Sequence, residues 1–398
     1  MARERERRDY FGVAASLLAF FMLLGAARAS EPDRQGEARG KSLDIPPNTW
    51  VVRKTPPFPG SIGKASKHVR LVYDSDRHLV YAWGGDYCVA TGCSGHREFW
   101  SYDVAKDVWT LILDNEASKT QGFPTGRCLP AMAYDSTRKV VWMTGGEDVY
   151  TTEQGKLIKG GLWAFIPETR TWRKKGPANY EIPRRKGGTQ LEYAAYDPFR
   201  DELIIPAFDS GSGSLMATFS LRNIDLNEPK IVNGWAFSGL GADEPLLGKL
   251  SFALDTRRQR AVMYLSKKGE TWSYDLKSRR ASLLKKQMLP AKSVFGMIYD
   301  SVNDRVALFG GYDNHEGAKN VKPLNDLWIF DPDRNEWSKL NASGAIPPPR
   351  KGETIAFDAE NNVIVQTGGT GGWQGREADR FGYNGGEIFL LRLGTGRP

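Results

Sequence analysis

One pattern in this chain restricts its fold more than any other. An aromatic residue or Leu followed by Asp recurs six times, at Tyr73-Asp74, Tyr134-Asp135, Tyr196-Asp197, Leu254-Asp255, Tyr299-Asp300 and Phe357-Asp358. Each pair ends a short β-patterned run. A few polar residues and a second β run follow. Four of the second runs end in paired glycines: Gly84-Gly85, Gly145-Gly146, Gly310-Gly311 and Gly368-Gly369. Third runs follow at Phe99–Asp103, Leu162–Phe165, Thr271–Asp275 and Leu327–Asp331. A fourth begins with Trp109, Trp172, Trp235 or Trp337, which lie 35, 37, 38 and 37 residues after the Asp of the same unit. Four short strands joined by turn residues make an antiparallel meander. One such sheet cannot bury both faces alone, so neighbouring units must stack, and radial stacking gives a β-propeller. The pattern accounts for much of the surplus of Gly (43) and Trp (12) in the 398 residues. Paired glycines let the backbone turn where a side chain would clash. The tryptophans are large bodies suited to packing between sheets.

These marks resemble the kelch repeat: a Gly pair closing the second strand, an aromatic-x-aromatic-Asp third strand and a Trp opening the fourth. Asn325–Asp331 followed by Glu336–Leu340 is the closest match to that pattern. The resemblance covers about residues 48 to 393 and implies an all-β, six-bladed kelch-type propeller. Two units depart from it. The third has Ala207-Phe208 for Gly-Gly, and the fourth has Ser266-Lys267 and lacks the final Trp. The sixth unit supplies only three strands, whereas Asn48–Val52 stands before the first unit and reads as a strand. It is expected to complete blade six and so remove an open edge.

The N-terminus reads as an export signal. Arg3, Arg5, Arg7 and Arg8 precede an uncharged run of 17 residues, Phe11 to Ala27, and Ala27-Arg28-Ala29 is a small-x-small cleavage pattern. Residues 1–29 are expected to be a signal peptide, 30–44 a flexible leader and 45–398 the propeller, in a periplasmic or secreted protein. No other stretch is long and apolar enough to span a bilayer. The net charge is +8. Losing residues 1–29, with five Arg and three acidic residues, leaves +6. The charges are interspersed, which suits a solvated surface with a mild preference for anions and no nucleic-acid partner.

In a meander, connections alternate between two faces. The first-to-second and third-to-fourth connections are tight and alike. The second-to-third loops, 86–97, 147–160, 312–325 and 370–386, are long and divergent, so binding is expected on their side. Blade four has only Lys267–Glu270 there, which makes the wall low. Arg127, Lys292 and Arg350 each lie eight residues before a repeat Asp, with Arg185 near the corresponding place in blade three. Such cations suit carboxylates, sulfates or phosphates, although Pro-Arg in this place is also common as kelch structure. Five residues before the Asp, blades three and six carry Glu192 and Glu353 in an otherwise apolar register. Two carboxylates so placed can act as acid and base, or each can be paired with a neighbouring cation. Tyr312 and Trp373 are flat aromatic faces in the long loops, suited to sugar rings.

His96 and His315 also fall in these loops. Their blades are two steps apart, and no metal or cofactor is expected. A related propeller family, galactose oxidase, binds copper through Tyr and His ligands with a thioether-linked Cys, and that set is not found here. Of three cysteines, Cys88 and Cys93 are the favoured pair, with Cys88–Cys128 and Cys93–Cys128 as alternatives. The chain therefore reads as an exported binding protein for an anionic glycan or a protein partner. The alternative is a carbohydrate-active enzyme, because exported six-bladed kelch proteins that interconvert sialic acid anomers resemble it in fold and size. In such an enzyme Glu192 and Glu353 would be the catalytic pair.

Overall fold

The computed structural model describes residues 43–53, 69–89, 92–95, 98–114, 122–124, 126–127, 130–146, 161–176, 193–209, 213–228, 235–239, 252–266, 268–290, 296–313, 322–370 and 387–395. These residues are strands and turns without a helix. Six antiparallel sheets follow one another along the chain. Blade one comprises Arg70–Asp74, Leu79–Trp83, Phe99–Asp103 and Val108–Leu113. Blade two comprises Ala131–Asp135, Val140–Thr144, Leu162–Ile166 and Thr171–Lys175. The next three sheets repeat this order, the sixth is completed by a strand from the N-terminal side, and the first strand of each lies innermost.

The core is divided into six apolar clusters, and each cluster joins two adjacent blades. Period-two alternation produces this division. In Leu79–Trp83, Val80 and Ala82 pack against blade six, while Tyr81 and Trp83 pack against blade two. Every inner strand is thus covered on both faces, which explains why runs such as Val140–Thr144 read as continuously apolar rather than alternating. The tryptophans whose side chains are described sit in these seams. Trp172 meets Trp83 and Phe99 of blade one at ring-centroid distances of 5.5 and 5.1 Å.

Blade six closes as expected. Thr49–Arg53 pairs antiparallel with Ile388–Arg392, in register from Thr49↔Arg392 to Arg53↔Ile388. The structure adds a fifth strand that the sequence reading does not contain. Ser343–Gly344, in the link from blade five, pairs parallel with Thr49 and Trp50 and covers the new edge. The packed body begins slightly earlier than residue 45. The Leu43 carbonyl accepts from Arg392 Nη2 at 2.9 Å, and Leu43 and Ile45 join the blade one–six cluster.

The repeat Asp has one structural task in all six blades. Asp74, Asp135, Asp197, Asp255, Asp300 and Asp358 are fully buried. In each, Oδ1 accepts backbone N–H groups of the following turn, as from Thr137 and Arg138 to Asp135, both at 2.9 Å. Oδ2 meets the side chain three residues on: Arg77, Arg138, Arg200, Arg258, Asn303 or Asn361. The next residue takes a left-handed conformation each time, from Gln259 at φ 50° to Asp201 at φ 58°. The Asx turn supplies the hydrogen bonds that make this otherwise unfavourable backbone stable. Beside Asp300 the partner is Asn303 rather than Arg, and burial pushes the Asp300 carboxyl above the usual range against the opposing hydrogen bonds of Asn303 and the charge of Arg305.

The same turns tie the ring together on this face. Arg138 of blade two grips Asp201 of blade three through two bonds of 2.6 Å. Arg258 of blade four grips Asp304 of blade five at 2.7 and 2.8 Å. Arg77 of blade one pairs with Glu168 of blade two. Tyr134 donates to Asp76 at 2.7 Å, and Tyr196 donates to Thr137 at 2.6 Å, each reaching the preceding blade. Burial pushes the Tyr196 hydroxyl up to about 12, so it stays a neutral donor at ordinary pH. The uniform face is therefore a polar belt between blades.

Candidate functional site

The innermost strands leave an axial cavity of about 410 Å³. Its wall is built from the segments between the starts of these strands, near Arg70, Tyr193 and Thr354, and their ends, near Ser75, Ser136 and Ser301. Strands begin on the long-loop side, so Arg70 and Tyr193 mark that mouth. Among the described residues of the lining, Arg70 is the one charged side chain, and none is acidic.

Arg70 opens the first strand of blade one, opposite Trp83 in the ladder. It is 6% exposed. Its Nε donates to the Pro130 carbonyl of blade two at 3.2 Å. Its guanidinium carbon lies 4.7 Å from the centroid of the Tyr193 ring of blade three. One side chain therefore spans three blades. Its two terminal nitrogens have no hydrogen-bond or ion-pair partner among the described residues. A guanidinium withdrawn from bulk water without a counter-ion is costly, and a carboxylate meeting its planar fork would relieve that cost. Tyr193 beside it offers an aromatic face, and Thr354, buried on blade six, brings a hydroxyl that accepts from Leu71 N–H at 3.3 Å.

The residues singled out from sequence fall elsewhere or outside the described part. Arg127 and Arg350 are each 1% exposed and do not line the cavity. They occupy equivalent places. Arg127 Nη1 donates to the Gly145 carbonyl, and Arg350 Nη1 to the Gly368 carbonyl, both at 2.9 Å. Each guanidinium thus holds the first residue of its own blade's glycine pair, where the backbone takes φ of 69° at Gly145 and 72° at Gly368. Arg350 also lies 3.8 Å from Glu387. Tyr312 is half-buried in a two-residue ladder, opposite Pro323. Cys88 and Cys93 lie opposite each other in a separate hairpin. The backbone of Glu353 pairs with Gly368, and its side chain is outside the described residues. Glu192, Arg185, Lys292, His96, His315, Trp373 and Cys128 also lie outside them.

The low wall is wider than the sequence reading has it. Blade four joins Arg260–Leu265 to Glu270–Asp275 through four residues, and blade three joins Glu202–Asp209 to Gly213–Ser220 through three. The reading at eight and five residues before the Asp passes over Arg70. Its signal lay four before: Arg70, Ala131, Tyr193, Ser251, Gly296 and Thr354, with one charge in the register.

The comparisons agree with this architecture. The KLHDC2/KLHL20/DRC7 Kelch-repeats domain model matches residues 264–385. Mei4-dependent protein 6 of Schizosaccharomyces pombe is 24% identical over 309 residues, covering 75% of this chain and 37% of that protein. Dynein regulatory complex subunit 7 of Chlamydomonas reinhardtii is 33% identical over 98 residues, covering 25% of this chain and 7% of that protein. The chain thus spans well under two thirds of the length of these relatives. The solved structure of YjhT superposes with a TM-score of 0.54 at 12% identity, covering 85% of this chain and 97% of that one, a likeness of fold. The six repeats, the ring of six sheets and the matched repeat model together make this chain a kelch-repeat β-propeller.

Proposed function

We propose that the chain is an exported binding protein that takes an acidic ligand, with a sugar acid on a glycan as the favoured form, at the long-loop mouth of its axial channel. The observation that carries this is Arg70, nearly buried, stacked near Tyr193 and without a carboxylate among the described lining. A ligand carboxylate would take the open fork, and a sugar ring would lie along the tyrosine. The low wall at blades three and four leaves room for the rest of a glycan. An acidic side chain of a protein partner meets the same chemistry, and the similarity to Dynein regulatory complex subunit 7, by its name part of a protein complex, supports that reading.

Calorimetric titration with free sialic acid, a neutral hexose and an Asp/Glu-rich peptide tests the proposal. Arg70→Gln should weaken acid binding about 10- to 100-fold, the size of a charge-assisted pair. Equal affinity in Arg70→Gln, or no binding of either acidic probe, would refute it. A mutarotase reading draws on Glu192 and Glu353, which immediately precede the cavity residues Tyr193 and Thr354. If sialic acid binds, magnetisation-exchange NMR on wild type and Glu192→Gln separates catalyst from binder. Export rests on residues 1–29: an unprocessed chain retained inside the cell would refute it, and a secreted product whose first residue is not Ser30 would refute the cleavage site.

A further inference from the structure

We propose that Cys88 and Cys93 form a disulfide that staples a hairpin on the long-loop side of blade one. Asp86–Val89 and Gly92–Gly95 pair antiparallel as a two-stranded ladder of their own, directly after the Gly84-Gly85 turn of the second strand. The register runs Asp86↔Gly95, Tyr87↔Ser94, Cys88↔Cys93 and Val89↔Gly92. The two cysteines are thus opposed and share one face of the ladder. Opposed residues in such a ladder have Cα atoms about 4.5 or 5.5 Å apart, according to the pair type. Both separations fall within the span of about 4.4–6.8 Å that a disulfide bridges.

The hairpin has four residues in each strand and, among the described residues, no third strand, and two-stranded ladders of this kind are marginal in water. A cross-link at the pair next to its tip would hold the register where hydrogen bonds alone do not. The chemistry is ordinary exchange with a low-molecular-weight disulfide such as oxidised glutathione. One cysteine, as thiolate, attacks that disulfide and releases one reduced glutathione. The other then attacks the mixed disulfide, forms the Cys88–Cys93 bond and releases the second. Two thiol protons and two electrons leave the protein, and the oxidant is reduced to two thiols. The inference stands on the hairpin alone and is independent of what the channel binds.

The test uses the full-length chain equilibrated with glutathione mixtures, alkylated without reduction and digested with trypsin. His78–Arg97 holds both cysteines in one tryptic peptide. It should appear unalkylated and about 2 Da lighter than the dithiol form, with Cys128 alkylated. Reduction should then speed amide hydrogen exchange across residues 86–95 about thirtyfold, the loop-closure effect of so short a ring. Cys93→Ser should show the fast exchange without reductant, and Cys128→Ser should not. A link to Cys128, three free thiols in excess oxidised glutathione, or exchange unchanged by reduction would each overturn the proposal.

Discussion

The closure of the ring offers the sharpest test of the fold, through Trp50. This side chain is 2% exposed and belongs to the cluster between blades five and six, with its ring centroid 5.2 Å from that of Phe309. Its strand is the only part of blade six contributed from the far end of the chain. Its edge is covered by Ser343–Gly344, where Ala345 N–H donates to the Trp50 carbonyl at 2.8 Å. Trp50→Ala removes the indole and leaves those backbone bonds formally intact. Emptying a buried tryptophan site costs about 3–5 kcal/mol. For a body of about 350 residues, an unfolding entropy of about 2.1 cal/mol/K per residue converts 4 kcal/mol to a fall in Tm of about 5 °C. Gly344→Ala attacks the cover instead. Gly344 has φ +79°, and a Cβ there would lie 2.3 Å from the Trp50 carbonyl oxygen, so the covering strand must move away. Scanning calorimetry on the two variants measures both effects. A Tm change below about 1 °C in Trp50→Ala, where a core tryptophan should cost several degrees, would mean that the N-terminal strand does not hold the ring shut.

The latch between blades four and five predicts an acid-sensitive step. Asp304 receives both terminal nitrogens of Arg258 and the Tyr299 hydroxyl, and the Arg258 bonds draw its carboxyl down to about 2. A folded-state value below the unfolded 3.8 means the contribution is complete above about pH 4 and is lost as pH falls through about 2, roughly 1 kcal/mol once solvent screening is allowed for. Thermal melts between about pH 5 and 2.5 should show a steeper fall for wild type than for Asp304→Asn, and parallel curves would refute the assignment.

Much of the ring was legible because propeller units repeat their local chemistry. The six Asp residues are visible in the sequence, and the structure shows why: each is sealed inside a turn whose amides need an acceptor. The glycine pairs are visible for a related reason, since both residues of a pair take positive φ. The partner strand for Asn48–Val52 could be inferred because blade six lacks a fourth strand of its own. Its cover, Ser343–Gly344, could not, since two residues carry no periodicity.

The site was less legible, and Arg127 and Arg70 show the difference. Both are basic residues near the start of an innermost strand. From spacing alone Arg127 looks the better candidate, because Lys292 and Arg350 repeat its position. That repetition marks a task shared by blades two and six, holding a glycine carbonyl, as Arg127 and Arg350 both do. Arg70 is unrepeated, and its environment comes from Pro130 and Tyr193, about sixty and more than a hundred residues away in sequence.

By itself the sequence determined the six-fold repetition, the two unlike faces and the strand that closes the ring. These depend on local turn chemistry and on the period of burial, and both are written in neighbouring residues. Only the tertiary structure decided which of the described cations faces the channel, because that depends on residues of three blades meeting at one axis. It also set Cys88 opposite Cys93 in a two-stranded ladder, a register that residue spacing alone does not give.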